Sequence, residues 1–175
     1  MLGLNYIFSA LGRNEFLWAD LGLLFVDSNV LIESIFIEQS AAATVLNLTI
    51  KGTFRIVTCR QVIDDVERAI LRKLQEIPED LDTVIQRWEL LKTNSRLAVI
   101  ADEPLESVSR IYHEYITIMR HKTDIPILAA AIKLQPSAIL SGNRDHFNPK
   151  VAHKSGISIF SCAEFLDLIA QHKTD

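Results

Sequence analysis

The chain has 175 residues, 49% of them apolar and 23% charged, with six Gly and five Pro. That composition excludes a disordered, collagen-like or low-complexity protein, and the length is enough to bury a sizeable core. A net charge of −4 excludes a protein that coats nucleic acid non-specifically, but not an enzyme with an acidic centre and a local basic rim.

Two cysteines, Cys59 and Cys162, are too few for a disulfide scaffold or a cysteine-built zinc site, and they fit a reducing, cytoplasmic compartment. No apolar run approaches the ~18 residues that span a bilayer. The N-terminus lacks a basic stretch before its apolar part, so no cleaved signal is expected. One domain over 1–175 is the expectation. Within it, 23–170 forms the core and 1–22 an extra N-terminal helical segment.

Residues 4–18 carry Leu4, Ile7, Phe8 and Leu11 at helical spacing. Leu23–Val26 reads as a fully buried strand stopped by Asp27. Residues 29–39 and 41–50 read as two short helices or one bent one. Phe54–Val57 is a second strand, with Thr58 as N-cap and Gln61 completing a capping box for the next helix. That helix buries Val62, Val66, Ala69 and Ile70. Pro78–Asp80 opens another, with Val84, Trp88 and Leu91 on one face. Leu97–Ile100 is a third strand, and Pro104 starts a helix running to Met119. Asp124 stands as N-cap of a helix over 125–134, ended by Gln135–Pro136. Ala138–Leu140 is a fourth strand leaving through the turn Ser141–Gly142–Asn143. Ile157–Phe160 is a fifth, followed by a capping box, Ser161 with Glu164, that opens the last helix.

Short strands that are apolar throughout belong to a parallel sheet covered on both faces. The expected fold is therefore α/β, with three layers and a mostly parallel sheet of about five strands. Such sheets bind ligands beyond the carboxyl ends of their strands. Asp27 ends the first strand, while Asn143 and Asp145 follow the fourth. Asp65 and Glu67 lie on the helix leaving the second strand, and Asp124 begins the helix before the fourth. All fall at one edge. Each alone has an ordinary explanation: a cap for Asp27 and Asp124, a solvated helix face for Asp65 and Glu67, a turn for Asn143 and Asp145. Together they suit a hard divalent cation, Mg²⁺ or Mn²⁺, which carboxylates prefer and which promotes phosphodiester hydrolysis.

Val26–Asp27–Ser28–Asn29–Val30, Asp124–Ile125–Pro126 with its alanine-rich helix, and Ser141–Gly142–Asn143 with His146–Phe147 resemble the successive motifs of PIN domains. These are nucleases found among prokaryotic toxins. The resemblance covers about 23–170. It implies a metal-dependent endoribonuclease, with Asp27, Asp65, Asp124 and Asn143 as catalytic and metal-holding residues and Glu67 or Asp145 as alternates. Asn143 departs from the commoner Asp and adds no negative charge. Ser28, Asn29, Ser141 and Arg144 fall where substrate contacts are expected, and Arg120 and Lys122 flank the motifs. The resemblance also implies an RNA substrate, a small antitoxin partner and a homodimer, with no membrane. Two other readings stay open. One is a PIN-like binding module whose acids have weakened. The other is a haloacid-dehalogenase-type phosphatase with Asp27 as nucleophile, which has Asn29 where that chemistry needs a second acid.

Overall fold

The computed structural model describes residues 22–143 and 145–171. The expected helix over 4–18 and the side chain of Arg144 lie outside them. In chain order the elements are β1 (Leu23–Val26), α1 (Ser28–Phe36), α2 (Ala41–Ile50), β2 (Arg55–Cys59), α3 (Arg60–Lys73), α4 (Leu81–Asn94) and β3 (Ala98–Ile100). There follow α5 (Leu105–Tyr115), a 3-10 turn (Lys122–Asp124), α6 (Ile125–Leu134), β4 (Ala138–Leu140), α7 (Pro149–Ser155), β5 (Ser158–Phe160) and α8 (Cys162–Gln171).

The five strands form one sheet in the order β3-β2-β1-β4-β5, and every neighbouring pair is parallel. Its helices flank it in the expected three-layer arrangement. α1 packs on α2, α3 and α4, and α2 packs on α8, while α5 packs on α6. β1 holds the centre because it can. Leu24, Phe25 and Val26 are wholly buried, and an apolar strand loses nothing by being covered on both faces. Around it lie Trp88, Phe147, Phe165 and Leu31, among the largest fully buried side chains. Each such side chain contributes about 1.5–3 kcal/mol relative to exposure. β3 is an edge strand, and its Val99 is exposed.

Several local expectations change. The second strand runs two residues beyond Val57, to Cys59, and α3 follows it without a turn. Thr58 is therefore not an N-cap. It is buried in the strand, and its Oγ1 donates to the Val26 carbonyl at 2.8 Å. Cys59 takes the cap position with no side-chain cap bond, so the expected capping box with Gln61 does not form. The helix after Pro104 ends at Tyr115, four residues short of Met119. α7 was not anticipated. It is a short helix, capped by Asn148, whose Oδ1 accepts from Lys150 N and Val151 N. The Ser161–Glu164 box does form: Ser161 N donates to Glu164 Oε2 at 2.9 Å, and Glu164 N to Ser161 Oγ at 3.2 Å.

Candidate active site

The chain runs from β1 outward to β3, then crosses back to β4 on the other side of β1. The reversal opens a crevice between the carboxyl ends of β1 and β4, where open α/β sheets place ligands. Val26 pairs with Leu140, and Asp27 N still donates to the Leu140 carbonyl at 3.0 Å. Asp27 and Ser141 thus leave the sheet side by side.

Their side chains join in one network. Asp27 Oδ1 accepts from Ser28 N at 2.7 Å, and Oδ2 accepts from Asn29 Nδ2 at 2.6 Å and Ser141 Oγ at 2.7 Å. Ser141 Oγ in turn accepts from Asn29 Nδ2 at 3.2 Å and Asn143 N at 3.1 Å. One donor and two acceptor sites complete what a hydroxyl can do. Asn29 is locked the other way round as well, since its Oδ1 accepts from Gly142 N at 2.7 Å. A Cβ on Gly142 would stand 3.3 Å from that oxygen, a tight approach that a side chain here could make only by pushing Asn29 aside. Ser28, Asn29 and Ser141 were expected at the substrate. Asn29 and Ser141 are turned onto the carboxylate of Asp27, and the main chain of Ser28 caps it.

Asp27 is buried. Burial pushes its carboxyl above the ordinary carboxylate range. The charge of Asp124 pushes the same way, while the hydrogen bonds from Ser141, Ser28 and Asn29 pull it back. Two acids distant in sequence thus act on one another electrostatically. Asp124 precedes α6 but makes no side-chain cap bond to it, so capping does not account for this residue. Its Oδ2 is buried and has no hydrogen-bond partner seated on it, although Nδ1 of His146 lies against it. That contact is an ion pair only when the imidazole is protonated.

The other candidates are less closely drawn in. Asp65 and Glu67 are half-buried on α3, and Asp65 pairs with Arg68. Gln61, one turn before Asp65 and on the same helix face, donates from Nε2 to the Thr123 carbonyl at 2.9 Å. That face of α3 is thereby directed at the segment carrying Asp124. Asn143 Oδ1 accepts from Asp145 N at 3.2 Å, an Asx turn that orients the loop. Asp145 is exposed and pairs with Arg120 at 2.9 Å. Among the described residues no group of three or more His, Cys, Asp or Glu side chains is gathered closely enough to hold a metal ion. Two carboxylates converge, and Mg²⁺ is commonly held by one or two, completing its shell with water and substrate phosphate.

Sequence reasoning missed His146 as a neighbour of Asp124, though His146–Phe147 stood within a motif. Phe147 is fully buried, and its N and that of His146 both donate to the Asn143 carbonyl, at 3.0 and 3.2 Å. The buried ring fixes the turn that delivers the imidazole. The two cysteines are buried free thiols. Burial pushes Cys59 up to about 11 and Cys162 up to about 12, which makes both poor nucleophiles.

Residues 24–145, more than half of the chain, match the sequence profile of the PIN domain. No curated protein matches the sequence. Among solved structures, the fold resembles that of a chain in the crystal structure of VapBC2 from Rickettsia felis bound to a DNA fragment from their promoter. The TM-score is 0.60 at 12% identity, covering 79% of this chain and 98% of that one. It also resembles PAE2754 from Pyrobaculum aerophilum, with a TM-score of 0.58 at 17% identity, covering 91% of this chain and 97% of that one.

Proposed function

Because this chain belongs to the PIN domain family of nucleases, we propose that it is a metal-dependent endoribonuclease and the toxin of a toxin–antitoxin pair. The observation that supports this most is that the turn after β4 reaches both acids, Ser141 holding Asp27 and His146 lying against Asp124, and that Asp27 feels the charge of Asp124. Two carboxylates held close, one of them buried, need positive charge between them.

The residues present fit a hard divalent ion. Asp27 Oδ2 carries two short hydrogen bonds, whereas Oδ1 carries one short bond from Ser28 N and a long one of 3.5 Å from Ser28 Oγ, so Oδ1 is the oxygen with capacity for an ion. Asp124 brings a second carboxylate, whose buried Oδ2 lies against His146 Nδ1. Oxygen donors of this kind select Mg²⁺ or Mn²⁺ over softer metals. When bound, such an ion polarises a phosphate oxygen and lowers the pKa of a water. Asp27 and Asp124 would hold it; Asp65, which here pairs with Arg68, or Glu67 as the alternate, would have to be drawn in from α3 to add a third carboxylate. Asn29 and Ser141 keep Asp27 in one rotamer, so its position does not relax when substrate enters. Asn143 shapes the loop beside it. Arg120 and Lys122, both exposed at the same rim, would meet flanking phosphates of an RNA strand, and Arg144 would join them.

The partners would be a small antitoxin protein, which the VapBC2 likeness supports, and a second copy of this chain. Among the described residues no helix is long and apolar enough to cross a membrane. Action in the cytoplasm suits two free thiols.

The test is cleavage of a single-stranded RNA oligonucleotide with Mg²⁺, Mn²⁺ or EDTA. Cleavage by the parent with metal, none with EDTA and none by Asp27→Asn is the expected outcome. Undiminished cleavage by Asp27→Asn, or cleavage indifferent to EDTA, overturns the reading.

Asn143 favours a second reading. It adds no charge, and its Oδ1 already accepts a backbone hydrogen bond. A site one charge poorer suits a PIN-like module that binds RNA with little turnover. RNA binding without cleavage under any metal would decide for it. A phosphatase of the haloacid-dehalogenase type has no support from Asn29, whose amide donates to Asp27 and cannot transfer a proton as an acid would.

A further inference from the structure

The structure assigns a shared role to His146 and Gln61, which together position Asp124. This rests on the reading of Asp124 as a metal-holding carboxylate. Neither residue belongs to the acid set, and each comes from a different part of the chain.

Gln61 is conspicuous because its local role is missing. It stands where a capping box would use it, yet α3 has no side-chain cap from its own N-cap residue. Asp102, in the loop after β3, supplies the cap instead, its Oδ1 accepting from Gln61 N at 2.9 Å. The Gln61 side chain is thus free to reach Thr123, 62 positions away in sequence, and donate to its carbonyl at 2.9 Å. That carbonyl begins the peptide unit leading into Asp124. The bond ties α3, the helix of Asp65, to the 3-10 turn that ends in Asp124.

His146 acts on the carboxylate itself. Its Nδ1 lies against Asp124 Oδ2, the buried oxygen. The ring has little freedom to leave. His121 stacks on it with centroids 3.9 Å apart and planes at 38°, its backbone N is held by the Asn143 carbonyl, and Phe147 anchors the next residue. One end of Asp124 is set by the turn that follows β4, and its main chain by the helix that follows β2. Groups that hold a ligating carboxylate in orientation typically govern metal affinity by about 10–100-fold.

The test titrates MnCl₂ into the metal-stripped full chain by calorimetry and measures thermal unfolding in EDTA alongside. His146→Leu keeps bulk and removes the donor, His146→Asn restores a donor close to the position of Nδ1, and Gln61→Met keeps length without the amide. The expected result is Mn²⁺ binding weakened about 10–100-fold in His146→Leu and about 2- to 10-fold in Gln61→Met, as befits one exposed hydrogen bond. His146→Asn should stay near the parent, and Gln61→Met should unfold in EDTA close to the parent temperature. Parent-like binding by both His146→Leu and Gln61→Met overturns the proposal, as does His146→Asn binding no better than His146→Leu. If His146→Leu fails to fold, Gln61→Met and His146→Asn decide it: a parent-like Gln61→Met or a non-binding, well-folded His146→Asn is the adverse result. Asp124→Asn separates the two levels. A parent that gives no more heat than Asp124→Asn removes the metal reading and this role with it. A parent that binds while Asp124→Asn does not leaves the metal reading intact and tests only the positioning.

Discussion

Replacing Asp27 by Asn changes one atom type in a buried network and should reveal what the carboxylate costs and what it binds. In the folded, metal-free chain, burial and the charge of Asp124 raise the Asp27 pKa above 3.8. The folded state therefore holds this proton more readily than the unfolded state does. Stability falls as pH rises from about 3.8 through the raised value, and the full penalty is present above it. An amide cannot titrate, so the parent should lose ground to Asp27→Asn as pH climbs. A pH-independent term opposes the gain. Ser28 N needs an acceptor, so the oxygen of the introduced amide must take the place of Oδ1, and the amide nitrogen then faces Asn29 Nδ2, another donor. Asn29 cannot turn over without abandoning Gly142 N. Ser141 Oγ, which also donates to Oδ2, loses its acceptor as well, and each frustrated buried hydrogen bond costs about 1–3 kcal/mol. With metal the parent gains a term that the variant lacks. Mn²⁺ at a hundred times its dissociation constant stabilises a one-site protein by about 2.7 kcal/mol, or roughly 5–11 °C at the ~2–4 °C per kcal/mol typical of chains this long. The assay is thermal unfolding of both proteins from roughly pH 4 to pH 8, in EDTA and in Mn²⁺. The parent should gain several degrees with Mn²⁺ and the variant little. In EDTA the melting temperature of the parent minus that of the variant should shrink as pH rises. Equal Mn²⁺ shifts, or a difference flat with pH in EDTA, would refute the account of Asp27.

Two further substitutions probe the supports. Gly142→Ala pushes a methyl against Asn29 Oδ1; RNA cleavage should drop at least tenfold while stability falls by about 1–3 kcal/mol, within the range for overpacking, and an active variant with parent-like metal response would show that Asn29 tolerates displacement. Ser161→Ala removes one half of the last helix's capping box and should cost about 0.5–2 kcal/mol by denaturant unfolding, with cleavage unchanged.

Much of the fold is written locally. β1 and β4 are recognisable because strands covered on both faces need apolar residues at every position, as Leu24–Val26 and Ala138–Leu140 show. The Ser161–Glu164 box is legible for the same reason: donor and acceptor are three residues apart. Thr58 and Gln61 show the limit. Their types and spacing say capping box, but the Val26 carbonyl and Asp102 lie 32 and 41 positions away, and those distant partners win. The site divides in the same manner. That acids gather at one rim follows from where strands end. That Ser141 serves Asp27 depends on a contact spanning 114 positions, which no local pattern encodes. The choice between Asp65 and Glu67 is equally beyond local pattern, since both are half-buried on one helix. α7 escaped because seven residues rich in Lys and His carry too little periodicity to announce a helix.

The bond from Ser141 to Asp27 closes a loop of 114 residues. Ordering that much chain costs roughly 4 kcal/mol plus a constant in closure entropy, repaid only once β4 docks beside β1. A growing polypeptide on the ribosome has already displayed Asp27 long before the β4 turn is synthesised. Until then the carboxylate stands without its serine. A chain that stops short of β4 therefore lacks the hydroxyl that braces Asp27.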